Sequence, residues 1–162
     1  MTGIISTTIG KFQSLEHLSL FSNKLTGVIP TTIGKLQLLK YLFLDSNKLT
    51  GQIPYSLGQL KAFSILSIYN NSFFGKIPNN INGLVSLQEL DLSQNKLEGP
   101  IPTEGIYNWT YLTVFSAFSN NFTGTLPSSL ADCTKLLVLN LRYNRFTGEL
   151  PPYIAILVTC NF

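Results

Sequence analysis

The chain is poor in the residues that do chemistry. Its 162 residues include two cysteines, one histidine, one tryptophan and one methionine. Cys133 and Cys160 are too few for a disulfide framework or a zinc site. His17 has no serine–carboxylate arrangement fixed around it, so it reads as a surface side chain and not as a general base. No nucleophile set, metal set or phosphate loop is written in the chain, which therefore reads as non-catalytic and free of cofactors. Charged residues make up 12% against 44% hydrophobic, a balance that argues against disorder. The net charge of +3 is small and its basic residues are scattered, whereas a nucleic-acid binder gathers them into a patch. No apolar run reaches bilayer length; the longest, "IAILV" at 154–158, reads as core. The opening "MTGIISTTIGKF" lacks the basic start and long apolar stretch of a secretory signal.

What the chain has is repetition. "LSLFSNKLTGVIPTTIGKL" from Leu18 is written again as "LFLDSNKLTGQIPYSLGQL" from Leu42. Gly27, Gly51, Gly75, Gly99, Gly124 and Gly148 recur at intervals of 24, 24, 24, 25 and 24. Four residues before each stands an asparagine: Asn23, Asn47, Asn71, Asn95, Asn120 and Asn144. Three residues after each comes a proline, from Pro30 to Pro151. A fixed period of this size marks a solenoid whose coils stack on their neighbours. The single longer interval carries an extra residue in "PTEGIYNWTYL", which is expected to bulge into a loop. "GIISTTIGKF" at the start matches "GVIPTTIGKL", so residues 1–162 read as one array of about six 24-residue repeats preceded by a partial turn.

Each repeated position has a physical task. Leu18/Leu20, Leu42/Leu44, Leu66/Ile68, Leu90/Leu92 and Leu139/Leu141 alternate with mostly polar neighbours, the period of a strand with one buried face. Leu15, Leu39, Phe63, Leu87, Leu112 and Leu136 point to the same core. One coil alone cannot bury its leucines, but stacked coils share a continuous core. Where the chain leaves the strand its backbone groups need partners, and an asparagine at the bend offers a donor and an acceptor to adjacent coils. The glycine permits a positive φ or a close approach, and the proline fixes the return path.

The pattern "LxxLxLxxNxLxGxIPxxIG" resembles the plant-type leucine-rich repeat of receptor-like kinases, receptor-like proteins and polygalacturonase inhibitors, from Gly3 to about Leu157. The resemblance implies a curved leucine-rich-repeat solenoid of the α/β horseshoe type. A parallel sheet lines its concave face, short second strands follow, and 3-10 or irregular segments form the convex side, with little α-helix. Paired-cysteine caps, a transmembrane helix and kinase motifs are missing from the chain, which therefore looks like a fragment of a receptor ectodomain or a truncated product. The resemblance places it outside the cell or at its surface. It implies a protein or peptide ligand, with a co-receptor or a cell-wall enzyme as further partners. The alternative is a secreted polygalacturonase-inhibitor-like protein acting by steric occlusion.

Each strand offers four outward positions on the concave face, from His17, Ser19, Phe21 and Ser22 to Val138, Asn140, Arg142 and Tyr143. Phe21, Tyr41, Phe43, Tyr69, Phe118 and Tyr143 put aromatic rings there, among serines such as Ser93 and Ser116. Rigid aromatics among small hydroxyl residues make a recognition surface with little rotamer entropy to lose; packing of the rings on each other across strands is the plainer use. Glu89 and Asp91 share one side of a strand, with Asp45 two coils away, and suit recognition of a basic group. With Arg142 these residues form the candidate ligand-binding set. A column of Lys24, Lys48, Ser72, Lys96, Asn121 and Arg145 suits either an anionic glycan or simple solubility of the sheet edge. Sequons at Asn70, Asn108 and Asn121 are glycan acceptors if the chain is secreted; Asn121 and Asn108 read as facing outward. Cys133 falls in the core column of Phe12, Leu36, Leu60, Leu84, Trp109 and Leu157 and reads as a small buried hydrophobe. Cys160 falls in a different column, which disfavours a bridge between the two.

Overall fold

A computed structural model describes residues 1–106 and 108–149; Pro151, residues 154–158 with Leu157 among them, and Cys160 lie outside these. After a first single strand, strands follow one another in pairs, the second of each pair a few residues after the first. In chain order they are β1 (Thr2–Ile4), β2 (His17–Ser19), β3 (Lys24–Gly27), β4 (Tyr41–Phe43), β5 (Lys48–Gly51), β6 (Ile65–Ser67) and β7 (Ser72–Gly75). Then come β8 (Glu89–Asp91), β9 (Lys96–Gly99), β10 (Val114–Ser116), β11 (Asn121–Gly124), β12 (Val138–Asn140) and β13 (Arg145–Phe146). The even-numbered strands form a parallel six-stranded sheet, and the odd-numbered strands a parallel seven-stranded one beside it.

The inner sheet stands in strict register. Leu18, Leu42, Leu66, Leu90, Phe115 and Leu139 are direct partners along it. Leu42, Leu66, Leu90 and Phe115 are fully buried, and each such side chain contributes about 1.5–3 kcal/mol by leaving water. Leu39, Phe63, Leu87 and Leu112 close the core from the side where the chain enters the sheet. Phe12 departs from expectation: it is exposed, in the first of the described coils.

Behind the sheets, five-residue 3-10 segments run over Thr7–Lys11, Thr31–Lys35, Tyr55–Gln59, Asn79–Gly83 and Ser128–Asp132. Pro30, Pro54, Pro78 and Pro127 precede four of them with φ between −67° and −69°, so each ring directs the chain into its helical turn. The six-stranded sheet lines the concave side of the stack, and the 3-10 turns form its back. The extra residue of the long interval does not loop out. It is taken up by α1 (Thr103–Ile106), one turn of α-helix where other coils have a 3-10 turn, because an α turn holds about 3.6 residues against 3.0.

Gly27, Gly51, Gly75, Gly99, Gly124 and Gly148 all have φ between 78° and 86°. Sequence reasoning missed a second left-handed position. Ser22, Ser46, Asn70, Gln94, Ser119 and Tyr143, each just before a repeated asparagine, have φ between 51° and 56°. Six positions filled by four residue types leave no compositional signal for that conformation, which non-glycine residues adopt at a cost of about 1 kcal/mol.

Candidate functional site

The asparagines hold the bends together. Asn71 accepts a hydrogen bond at Oδ1 from the Leu49 N–H of the preceding coil at 3.0 Å. Its Nδ2 donates to the Leu44 carbonyl of that coil at 3.0 Å, and to Ile68 and Tyr69 of its own coil at 3.1 and 3.2 Å. Asn47 repeats the pattern with Leu25, Leu20, Leu44 and Asp45. Asn95 and Asn120 do so with Phe73 and Leu97 as the N–H donors, and Asn144 with Phe122. Asn23 donates to Leu20 and Phe21. Backbone groups that diverge from the sheet are thereby satisfied without water, and the concave strands are held at fixed height.

On that scaffold the outward side chains form three rows across the strands. The first is His17, Tyr41, Ile65, Glu89, Val114 and Val138; the second is Ser19, Phe43, Ser67, Asp91, Ser116 and Asn140. The third continues past the strand ends, where Asn70 N–H donates to Ser93 O at 3.0 Å and Gln94 N–H to Phe118 O at 2.9 Å. It therefore runs Phe21, Asp45, Tyr69, Ser93, Phe118, Arg142.

These rows gather the aromatics into two groups. His17 lies edge-on to Tyr41 at 5.5 Å between ring centroids and tilted against Phe43 at 5.6 Å. Tyr69 and Phe118, two coils apart, meet at 6.2 Å, arching over the small side chain between them. Ser93 is accordingly fully buried and Ser116 is 8% exposed, where alternation alone places both in solvent. Their hydroxyls hydrogen-bond each other at 2.7 Å. Tyr41, Phe43, Tyr69 and Phe118 keep part of their surface in solvent. Phe21 and Tyr143 stand apart, 56% and 73% exposed, the latter beneath the Arg142 guanidinium at 5.3 Å.

The charges of the face are arranged around these groups. Asp45 accepts from the Ser67 hydroxyl, and Asp91 Oδ1 accepts from Ser93 N–H at 2.9 Å. Glu89 is exposed. Among the described residues the ion pair is Lys40 with Glu16 at 2.7 Å, at the entry edge of the sheet. Three carboxylates and one arginine thus occupy the concave strands of a chain whose net charge is +3. Lys24, Lys48, Ser72, Lys96, Asn121 and Arg145 begin the strands of the other sheet instead. Among the sequons, Asn121 is exposed on β11. The Asn70 amide donates to Ser46 Oγ at 3.3 Å and the Asn108 amide to Asn82 O at 3.0 Å.

Cys133 is a free thiol, fully buried in the core column. Burial, and then the neighbouring Asp132 carboxylate, push its pKa from 9.0 up to about 11. The folded state therefore keeps a proton that the unfolded chain loses between pH 9 and 11, and stability falls as pH rises through that window. In a Cys160→Ser background, urea unfolding of the Cys133 protein and of its Cys133→Ala variant should differ by a constant amount from pH 6 to 8. That difference should shrink between pH 9 and 11; a constant difference throughout would contradict the assignment.

The chain matches the Leucine Rich Repeat family model over residues 14–36, 38–60, 86–105 and 135–157. No curated protein matches it. Among solved structures it is similar to the plant peptide hormone receptor RGFR1 in complex with RGF2, with 37% identity and a TM-score of 0.93 over 94% of this chain and 24% of that one. It is similar also to the Arabidopsis receptor kinase HAESA in complex with the peptide hormone IDA and the co-receptor SERK1, with 35% identity and a TM-score of 0.91 over 96% of this chain and 26% of that one. For the ectodomain of the Arabidopsis thaliana receptor kinase SOBIR1 the identity is 32% and the TM-score 0.73, over 80% of this chain and 72% of that one. This chain thus spans about a quarter of the length of the first two receptors. By its matched repeats and its similarity to these ectodomains, the chain belongs to the leucine-rich-repeat family, in its plant-type class.

Proposed function

We propose that the concave sheet is a recognition surface for a peptide or protein ligand, presented outside the cell as part of a receptor ectodomain. The observation that carries this reading is the pair of part-exposed aromatic groups, His17/Tyr41/Phe43 and Tyr69/Phe118, on a sheet whose strands the asparagine bonds hold fixed. Exposed aromatic clusters on a rigid frame bury large area at small entropic cost. The similarity to receptors solved with peptide hormones supports it and favours a receptor over a secreted inhibitor. Arg142 and Tyr143 extend the surface at one end and Phe21 at the other. A glycan is proposed at Asn121, whose strand lies in the neighbouring sheet, away from the aromatic groups. Among the described residues no helix is long and apolar enough to cross a membrane.

A peptide library screened against the chain should yield ligands whose affinity falls at least about tenfold in the triple variant Tyr41→Ala, Phe43→Ala, Tyr69→Ala. Far-UV circular dichroism should show the triple variant still folded at the temperature of the binding assay, since none of the three rings is part of the buried core. Unchanged affinity in the triple variant would remove the concave face as the site.

A further inference from the structure

An aromatic pair and a carboxylate pair stand on the concave face at a separation that specifies an occupant. Tyr41 and Phe43 stand on β4, and Glu89 and Asp91 on β8, with only Ile65 and Ser67 of β6 between. Two strand spacings are about 9.6 Å. One turn of a polyproline-II helix advances three residues, or about 9.3 Å. A peptide in that conformation, crossing the strands, would set residue i on Tyr41/Phe43 and residue i+3 over Glu89/Asp91.

The second seat is built for a cation. Asp91 faces Ser67 and Ser116 directly across the neighbouring strands, and both are too small to cover it. Tyr69 and Phe118 lie two residues beyond those serines, the diagonal positions at about 7–8 Å from Asp91 on a sheet. Their rings meet over Ser93, so a chain reaching Asp91 from above passes along the Tyr69/Phe118 arch. A guanidinium or ammonium group there gains attraction from ring faces as well as from carboxylates. Asp91 has Oδ1 engaged by Ser93 N–H, which fixes the side chain. No lysine or arginine stands on β4, β6, β8 or β10 to neutralise it.

We propose that the concave face takes a basic peptide segment in polyproline-II conformation. An apolar side chain would dock on Tyr41/Phe43 and an arginine or lysine three residues away on Glu89/Asp91, beneath Tyr69 and Phe118. This rests on the reading of the concave face as the ligand surface and adds the ligand's chemistry and spacing.

The test uses fluorescent synthetic peptides and the full chain, with binding read by anisotropy. The first probe contains Pro-Leu-Pro-Pro-Arg-Pro, which sets leucine and arginine three apart. Companions replace arginine by glutamate, or shorten the spacing to two with Pro-Leu-Pro-Arg-Pro-Pro. The first should bind at least about tenfold tighter than the glutamate companion and measurably tighter than the short-spaced one. The double variant Glu89→Gln, Asp91→Asn should reduce the arginine-over-glutamate preference to about twofold or less while its melting temperature is kept. Equal binding of the arginine and glutamate peptides, both lost in the triple aromatic variant, would overturn the cation seat and leave the recognition face standing. Equal binding of the two spacings would overturn the polyproline-II register. Binding by none of these probes would overturn the proposal; ligands from the unbiased library that still depend on the aromatic residues would then preserve the broader reading.

Discussion

Gly58→Ala should unfold or strongly destabilise the stack, by about 3 kcal/mol or more, lowering the melting temperature by about 10 °C. The reason lies on the convex side. Each 3-10 turn lies so close to the next that a methyl group at Gly34 would stand 2.6 Å from the Ser56 carbonyl oxygen and 2.7 Å from its Cβ. At Gly58 the overlap is tighter still, with both the carbonyl oxygen and the side-chain amide of Asn80. A side chain can rotate away, but the carbonyl belongs to the backbone of the neighbouring coil. Relief would require the coils to part, which opens the core around Leu57, Leu60 and Ile81, all at most 1% exposed. The exposed Gln59 on the same turn is the matched comparison: Gln59→Ala should change stability by less than about 0.5 kcal/mol. Urea unfolding of both variants decides the matter, and a Gly58→Ala protein as stable as the parent would refute the close-approach account.

Asn71→Ala should cost about 2–3 kcal/mol, since it leaves the Leu49 N–H without its partner; the Leu44, Ile68 and Tyr69 carbonyls each lose one bond but keep those from Asn47, Asn95 and the Ser46 N–H. Asn71→Asp should be at least as damaging although it is nearly the same size. The carboxylate could still accept from Leu49 N–H, but it would set negative charge against the Leu44, Ile68 and Tyr69 carbonyl oxygens, where the amide donates. An asparagine of equal polarity outside the bends, Asn121, should tolerate alanine within about 0.5 kcal/mol. If Asn71→Ala lost less than about 1 kcal/mol, or if aspartate outperformed alanine, the bonds would not be what holds the bend.

These two positions show how unevenly the structure is written in the sequence. The fold was legible because the coil length is nearly constant, so every leucine, glycine and proline of one coil names its partner in the next. Gly27 and its equivalents announced a left-handed turn because glycine stands there in every coil. Ser46, Gln94 and Tyr143 adopt a similar φ without any residue type to announce it. The role of Gly34 and Gly58 was hidden for a different reason. A close approach depends on the neighbouring coil's carbonyl, which no pattern within one repeat reveals.

The candidate surface was legible only as a parity of inward and outward residues. Parity correctly keeps Tyr69 and Phe118 out of the core. It fails at Ser93 and Ser116, because large rings two coils apart meet over the small side chain of the coil between. The meeting of Tyr69 with Phe118 follows from Ser93 being small enough to lie beneath both rings. Likewise, the helical turn at Thr103–Ile106 absorbs an added residue because the back of a coil, unlike its strand, has no register to keep.

One consequence of the stacking concerns force. Among the described residues, packed elements contact only elements of adjoining coils, with the Tyr69–Phe118 ring pair as a longer tie. If the two ends were pulled apart, the load would fall on one junction at a time. Each released coil of 24 residues would lengthen the molecule by about 80 Å. The protein would extend as a series of discrete steps.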